Sequence, residues 1–253
     1  MSKTKTSNKT ILFLIAGASA AAAAFGARAQ SEEGAHPPIV VELFTSQACS
    51  SCVSAVKLFD ELAAREDVVA LSWHVDYWNT LNTKHGRWSD PYSDAAYTNR
   101  QRQYNKNIRR RSSVYTPQMV VGGAGEAAGS SKKKVEALIS AAYEERDAAP
   151  VANVNVSRED ETVTFDIGES EHGGNAYLIT LAPQVETKVT HGENAGVSFQ
   201  EVNVVTDVEP LGAVRRAGAR ITTPAPSADE NCALIVQEPG QGRIVAAAYC
   251  NEI

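Results

Sequence analysis

One stretch, from Ile39 to Cys52, limits the fold of this chain more than any other. Its sequence, IVVELFTSQACSSC, opens with a β-branched apolar run typical of a buried strand and closes, after a polar break, in a Cys-x-x-Cys pair. Apolar residues then recur at helical spacing as far as Glu66, which predicts a helix that begins at Ser50 or Ser51. A dithiol between a buried strand and a helix indicates a redox site.

The position of the two cysteines predicts different roles for them. A thiolate attacks a disulfide, and a helix N-terminus lowers the pKa of a cysteine because unpaired N–H groups and the helix dipole favour the anion. Cys49 is therefore expected to be the exposed nucleophile, and Cys52 the more buried thiol that resolves a mixed disulfide. Two alternatives remain open, an inert short-loop disulfide and half of a zinc or copper site.

Residues 1–29 have the pattern of a signal peptide. A basic start is followed by an apolar run from Ile11 to Phe25 and by the small-x-small cleavage site Ala27-Arg28-Ala29. A membrane anchor is the alternative, but the run is short for a spanning helix, so no anchor is expected after cleavage. The mature protein is predicted to be periplasmic or secreted, where two cysteine pairs are most simply two disulfides.

The charge of the mature chain limits the kinds of molecule that it is expected to bind. The predicted signal carries four basic residues and no acid, so the formal charge changes from -6 to -6 minus 4, which is -10. That balance argues against nucleic acid or an anionic membrane surface as the main partner.

The remaining pattern predicts an N-terminal tail (30–38), an α/β domain (39–149) and an all-β, sandwich-like domain (150–253). In the first domain, a strand at Val68–Val75 completes a βαβ unit with parallel strands. A helical insertion is predicted from Pro91 to Arg109, with Asp90 as its cap. Its basic end is interpreted as a solvated helix face, with a patch for an anionic partner as the alternative.

Thr116-Pro117 opens the next strand, which is expected to pair with the first. A proline there cannot donate to the ladder, and a cis peptide would bring the Thr116 backbone beside the sulfurs to receive an extended peptide. An ordinary trans proline is the alternative.

His74 and Asp76, at the end of the second strand, are candidates for proton handling. They are two residues apart and share the sheet edge with the cysteines, so His74 could raise the thiolate fraction of Cys49 or carry a proton. The alternatives are a third metal ligand beside two thiolates, and a buried histidine satisfied by a neighbouring carboxylate. Four nearby aromatic residues fit either a peptide-binding rim or core packing: Trp73, Tyr77, Trp78 and Trp88.

The other two cysteines lie in a predicted hairpin whose turn centres on Gln241. That register places Cys232 opposite Cys250, close enough for a structural disulfide. The segment from His191 to Gly196, HGENAG, has the composition of a turn between strands.

The order of these motifs resembles the thioredoxin superfamily. More narrowly, ELFTSQACSSC, WHVDYWN, YTPQMVVGG, HGENAGVSFQEVNVV and CALIVQ resemble a family of exported bacterial thioredoxin-like proteins of unknown function. The resemblance implies a thioredoxin-like domain with Cys49 and Cys52 at its active end and Pro117 in cis. The chain departs from the pattern at Ala48, where that family usually has Gly, at Val53-Ser54, where it has Pro-Pro, and at Leu43, where thioredoxins carry a buried acid.

The predicted function is a periplasmic thiol-disulfide oxidoreductase. It would act on protein or small thiol and disulfide substrates through Cys49 and Cys52, without a cofactor, and exchange electrons with a redox partner that the sequence does not identify. One alternative is a copper-binding module using Cys49, Cys52 and His74. Another is a non-catalytic interaction protein whose β domain binds a partner.

Overall fold

The computed structural model describes residues 36–148 and 151–251, and the chain from His36 onward is one compact unit. The predicted signal peptide and most of the predicted tail lie outside the described residues. Within the described part of the chain, no helix is both long and apolar enough to cross a bilayer.

The structure is a mixed α/β arrangement with extensive β-sheet and few helices. The α-helices are α1 (Val53–Ala63), α2 (Ala95–Tyr104) and α3 (Lys132–Ala148); 3-10 turns lie at Ser50–Cys52 and Tyr77–Thr80, and a π-helical turn, Asn105–Arg109, continues α2. The strands are β1 (Ile39–Thr45), β2 (Val68–His74), β3 (Gln118–Val121), β4 (Gly125–Ala128), β5 (Val154–Glu159), β6 (Thr162–Ile167), β7 (Gly174–Lys188), β8 (Ser198–Val214), β9 (Ala219–Pro224), β10 (Asn231–Gln237) and β11 (Ile244–Tyr249).

One eight-stranded sheet contains strands from both halves of the chain. Its order is β11-β10-β7-β8-β2-β1-β3-β4, and a separate three-stranded sheet has the order β5-β6-β9. β1 runs parallel to β2 and antiparallel to β3, while β2 meets β8 in a parallel bridge between Ser72 and Val204. The boundary expected at residues 149 and 150 therefore does not separate two sheets.

β1 and β2 lie at the centre of the fold and are buried on both faces. On one face Leu43 packs with α1 and α3, and on the other Phe44 packs with Trp73 and Tyr104. Glu42 is the charged residue of β1, and it is buried. Its burial is compensated because the Arg100 Nε atom donates to its carboxylate at 2.7 Å and the Tyr104 hydroxyl donates as well.

The smaller sheet packs against the end of the larger one. Phe165 of β6 shares an apolar cluster with Leu178 of β7 and Leu234 of β10. The facing side chains of the two sheets are therefore buried against each other.

The predicted helical insertion starts four residues too early. α2 begins at Ala95, and its cap is Asp94, whose carboxylate accepts from the Ala96 N–H at 2.6 Å. Asp90, the expected cap, is buried and accepts instead from the Gln47 N–H, in a different part of the chain. The predicted end at Arg109 agrees with the end of the π-helical turn.

Candidate functional site

The Cys-x-x-Cys loop lies at the C-terminal end of β1, where the chain enters a helix. The Cys49 N–H donates to the Ser46 carbonyl at 3.1 Å, and a 3-10 turn from Ser50 to Cys52 leads directly into α1. The predicted helix start is therefore confirmed. Cys49 and Cys52 form a disulfide with their Cα atoms 5.4 Å apart.

Thr116, in the bend just before β3, reaches this disulfide from the other side of β1. Its Oγ1 atom donates to Cys49 Sγ at 3.3 Å and accepts from the Trp78 Nε1–H at 2.7 Å. The Thr116–Pro117 peptide bond is cis. The structure thus brings together the cysteine pair and the Thr-Pro pair, which are separated by 67 positions between Cys49 and Thr116.

Both sulfurs are inaccessible, contrary to the expectation that Cys49 is exposed. The relative exposure of Cys49 and of Cys52 is 0%, whereas Ser50 and Ser51 between them are exposed. In the disulfide form, burial therefore does not distinguish the expected nucleophile from the expected resolving thiol.

The connection between β7 and β8, residues 189–197, lies against the cysteine loop, and we call it the hairpin tip. The Glu193 carboxylate accepts from the Ser50 N–H at 3.2 Å, and the Asn194 side chain donates to the Gln47 carbonyl at 2.9 Å. The HGENAG segment is a turn, as its composition predicts. Its contacts with the cysteine loop were missed because they span more than 140 positions and leave no local pattern.

The segment that contains His85 and Trp88 also contacts the hairpin tip. The Gly192 N–H donates to the His85 carbonyl at 3.2 Å. Gly192 has a φ of +80°, and a β-carbon there would lie 3.0 Å from the Trp88 β-carbon. Glycine is therefore the residue that permits this close approach.

Gln47, two residues before Cys49, is fixed by three separate parts of the chain. Its N–H donates to Asp90 at 2.7 Å, its side-chain amide donates to Glu201 at 2.7 Å, and its carbonyl accepts from Asn194. All four side chains are buried. These contacts set the path of the loop that carries Cys49.

His74 lies between the two carboxylates of this network. Its Nδ1 atom is 2.9 Å from Asp90 Oδ2, and its Nε2 atom is 3.5 Å from Glu201 Oε1. Burial lowers the pKa of His74, but the charges of Glu201 and Asp90 outweigh it and raise the pKa to about 9. Burial raises the pKa of Glu201, while the charge and hydrogen bond of His74 overcome burial and lower that of Asp90.

Asp76 is not a partner of His74. Its carboxylate accepts from the Thr98 hydroxyl at 2.6 Å, beyond the end of β2. The carboxylate that satisfies His74 is Asp90, which agrees with the alternative of a buried histidine paired with a nearby acid. Glu201 also escaped prediction, although it lies two residues from each of the buried residues Phe199 and Asn203, and that period places all three on the inward face of β8.

The four aromatic candidates divide between core and surface. Trp73 is buried in the core, and Trp88 packs on the core cluster beneath the hairpin tip. Tyr77 and Trp78 are partly exposed, and Trp78 contacts Thr116. Within the described residues, His74 and the cysteines are not part of a group of three or more His, Cys, Asp and Glu side chains arranged to hold a metal ion.

The second cysteine pair is confirmed and lies apart from the first. Cys232 and Cys250 form a disulfide, and the Cys250 N–H donates to the Cys232 carbonyl at 2.7 Å. The pair joins β10 to the end of β11, and three strands separate that hairpin from β1 in the sheet.

Comparisons with known proteins give a family and structural neighbours. The chain is similar to the crystal structure of a protein from Agrobacterium tumefaciens determined by a structural genomics consortium, with 26% identity, a TM-score of 0.73, and 87% of this chain and 97% of that chain covered. It is also similar to HBP35 of Porphyromonas gingivalis, with 15% identity, a TM-score of 0.49, and 85% and 74% covered. No curated protein matches the chain. A family model described as "Protein of unknown function (DUF1223)" matches residues 40–237, and the chain belongs to that family.

Proposed function

We propose that this protein is a thiol-disulfide oxidoreductase whose redox centre is the Cys49–Cys52 pair. The observation that carries the proposal is the position of the pair: it joins a buried strand to a helix N-terminus, and the Thr116 hydroxyl donates to Cys49 Sγ. Helix N-termini and hydrogen-bond donors stabilise a thiolate, which is the species that exchanges disulfides.

We also propose that the domain around the pair is related to thioredoxin. The arrangement that supports this is the strand order β2-β1-β3-β4, with β1 parallel to β2 and antiparallel to β3. α1 connects the two parallel strands and α3 follows β4. Proteins or small thiols remain the proposed substrates, and export by the N-terminal segment remains a prediction from the sequence.

The proposed exchange follows from the order of the two sulfurs. A substrate thiolate attacks Cys49 Sγ, the Cys49–Cys52 bond breaks, and Cys52 leaves as a thiolate that takes up a proton. A second substrate thiolate then attacks the substrate sulfur of the mixed disulfide and releases Cys49. The substrate becomes a disulfide and the pair becomes a dithiol; the reverse sequence reduces a substrate disulfide.

A trapping experiment tests this proposal. In a Cys52→Ser variant produced in the exporting cell, Cys49 has no resolving partner, so mixed disulfides with substrates should accumulate. Cys49→Ser is the matched control and should trap none. Recovery of the same set of proteins from both variants, or of none from Cys52→Ser, would contradict the proposal.

A further inference from the structure

We propose that Glu193 tunes the Cys49–Cys52 couple by placing its carboxylate on the helix N-terminus and so disfavouring the thiolate form of Cys49. The inference rests on the proposed redox role of the pair and adds a positioning residue to it. Glu193 lies in the hairpin tip, far in sequence from the cysteines, and takes no part in the exchange itself.

The Ser50 N–H is the group through which Glu193 contacts the cysteine loop. Ser50 is the first residue of the 3-10 turn that leads into α1, so its N–H is one of the donors that lack a partner inside the helix. Such donors and the dipole behind them are what lower the pKa of a cysteine at this position. In this structure the Glu193 carboxylate accepts from the Ser50 N–H at 3.2 Å.

A carboxylate at that place has two effects on Cys49. It occupies a donor that would otherwise favour a thiolate, and it sets a negative charge beside the residue that must become negative. Both effects raise the free energy of the thiolate relative to the disulfide, which carries no charge. Glu193 therefore favours the disulfide.

The position of Glu193 is fixed even though its side chain is exposed. The next residue, Asn194, is only 4% exposed and donates to the Gln47 carbonyl, while Gly192 is held against Trp88 and His85. The charge is thus kept near the cysteine loop. Because water surrounds Glu193, its effect should be smaller than that of a buried charge and should weaken as salt increases.

The variants at Glu193 leave the other titratable groups near the loop in place. Gln47 donates hydrogen bonds to Asp90 and Glu201, and His74 lies between these two acids. Tyr77 lies beside Trp78, and burial raises its pKa to about 12, so it stays neutral below that value. Differences between variants at Glu193 therefore report on Glu193.

The test uses equilibrium with glutathione and direct titration of Cys49. Above the pKa of Cys49, the protein disulfide and two glutathione thiols give the Cys49 thiolate, the Cys52 thiol, glutathione disulfide and one proton. In Glu193→Gln we expect the acidity of Cys49, followed by thiolate absorbance, and the equilibrium constant for this reaction to rise by about fivefold. A fivefold change corresponds to a reduction potential about 20 mV higher for a two-electron couple.

Two variants serve as controls, and salt provides a second readout. Glu193→Asp keeps the charge and should stay closer to the wild type than Glu193→Gln. Glu186→Gln removes an exposed charge from the same hairpin, outside the tip, and should leave both quantities unchanged. The Glu193→Gln difference should shrink in 1 M salt.

An unchanged potential and unchanged Cys49 acidity in Glu193→Gln would overturn the proposal, as would an equal change in Glu186→Gln. This outcome is separate from failure of the oxidoreductase proposal. The couple can be measured with glutathione whether or not Cys52→Ser traps substrates in the cell.

Discussion

At the scale of single residues, the unusual feature is a histidine between two acids with no exposure to water. His74, Asp90 and Glu201 are all buried, and Gln47 donates to both acids. A buried pair of carboxylates is costly unless a cation compensates it, so the charged form of His74 is favoured. The network therefore links the protonation of His74 to the conformation of the segment that leads into the cysteine loop.

This arrangement predicts a loss of stability at alkaline pH. The folded-state pKa of His74, about 9, lies above its ordinary value of 6.5, so its contribution is fully present below about pH 6.5 and is lost as the pH rises through 9. The shift corresponds to roughly 3 kcal/mol at most. Urea unfolding at pH 6, 7.5 and 9 should show the free energy of unfolding falling over this interval.

Variants distinguish the titration of His74 from other causes of a fall in the free energy of unfolding. His74→Gln should be less stable at pH 6, because two buried acids lose their cation, and its stability should change less between pH 6 and 9. His85→Gln, which alters an exposed histidine, should retain the wild-type slope. A slope that survives in His74→Gln would show that another group is responsible.

At the scale of elements, the hairpin tip contacts the loop that carries the disulfide, and this predicts a kinetic effect. Asn194→Ala removes the hydrogen bond to the Gln47 carbonyl and should loosen the tip, so a small phosphine should reduce the disulfide several-fold faster. Asn175→Ala, on β7 of the same hairpin, should leave the rate unchanged. Equal rates in wild type and Asn194→Ala would mean that the tip does not limit access to the disulfide.

The second disulfide should affect stability without affecting the redox couple. Its cysteines are 18 positions apart, and closing a loop of that size stabilises a fold by roughly 3 kcal/mol. Replacing Cys232 and Cys250 together by Ala should lower the free energy of unfolding by about that amount. The reduction potential of Cys49–Cys52 should stay the same. A changed potential would show that the β10–β11 hairpin and the cysteine loop are coupled.

Elements with a strong local pattern could be predicted from the sequence, and the contacts between them could not. β1, the start of α1 and β2 follow from apolar periodicity. The predicted start of α2 was wrong. The sequence around Asp90 has the same pattern whether the carboxylate caps a helix or accepts a hydrogen bond from Gln47. Which acid reaches a loop depends on the sheet order, which local patterns do not contain.

At the scale of the whole molecule, the two halves of the chain share their hydrogen bonds as well as their sheet. The Ala70 N–H of β2 donates to the Tyr249 hydroxyl at 2.8 Å, and the Gln237 amide donates to the Tyr104 hydroxyl at 2.7 Å. Glu193, Asn194 and Glu201, which hold the cysteine loop, all come from the second half. Residues 36–149 alone therefore lack β8, which is one of the two neighbours of β2, and part of the candidate site.

This sharing predicts that the fragment 36–149 does not fold by itself. Without β8, the edge of β2 loses its partner, and apolar residues of β2 that pack against Val205 and Ile235 meet water. The fragment should show no cooperative thermal transition and poor dispersion of its amide NMR signals, whereas the chain from residue 36 to its end should show both. Adding the separate fragment 150–253 should restore part of the signal, because the missing strands are supplied in trans. A cooperative transition of the first fragment alone would mean that it is an independent domain to which the later strands are only attached.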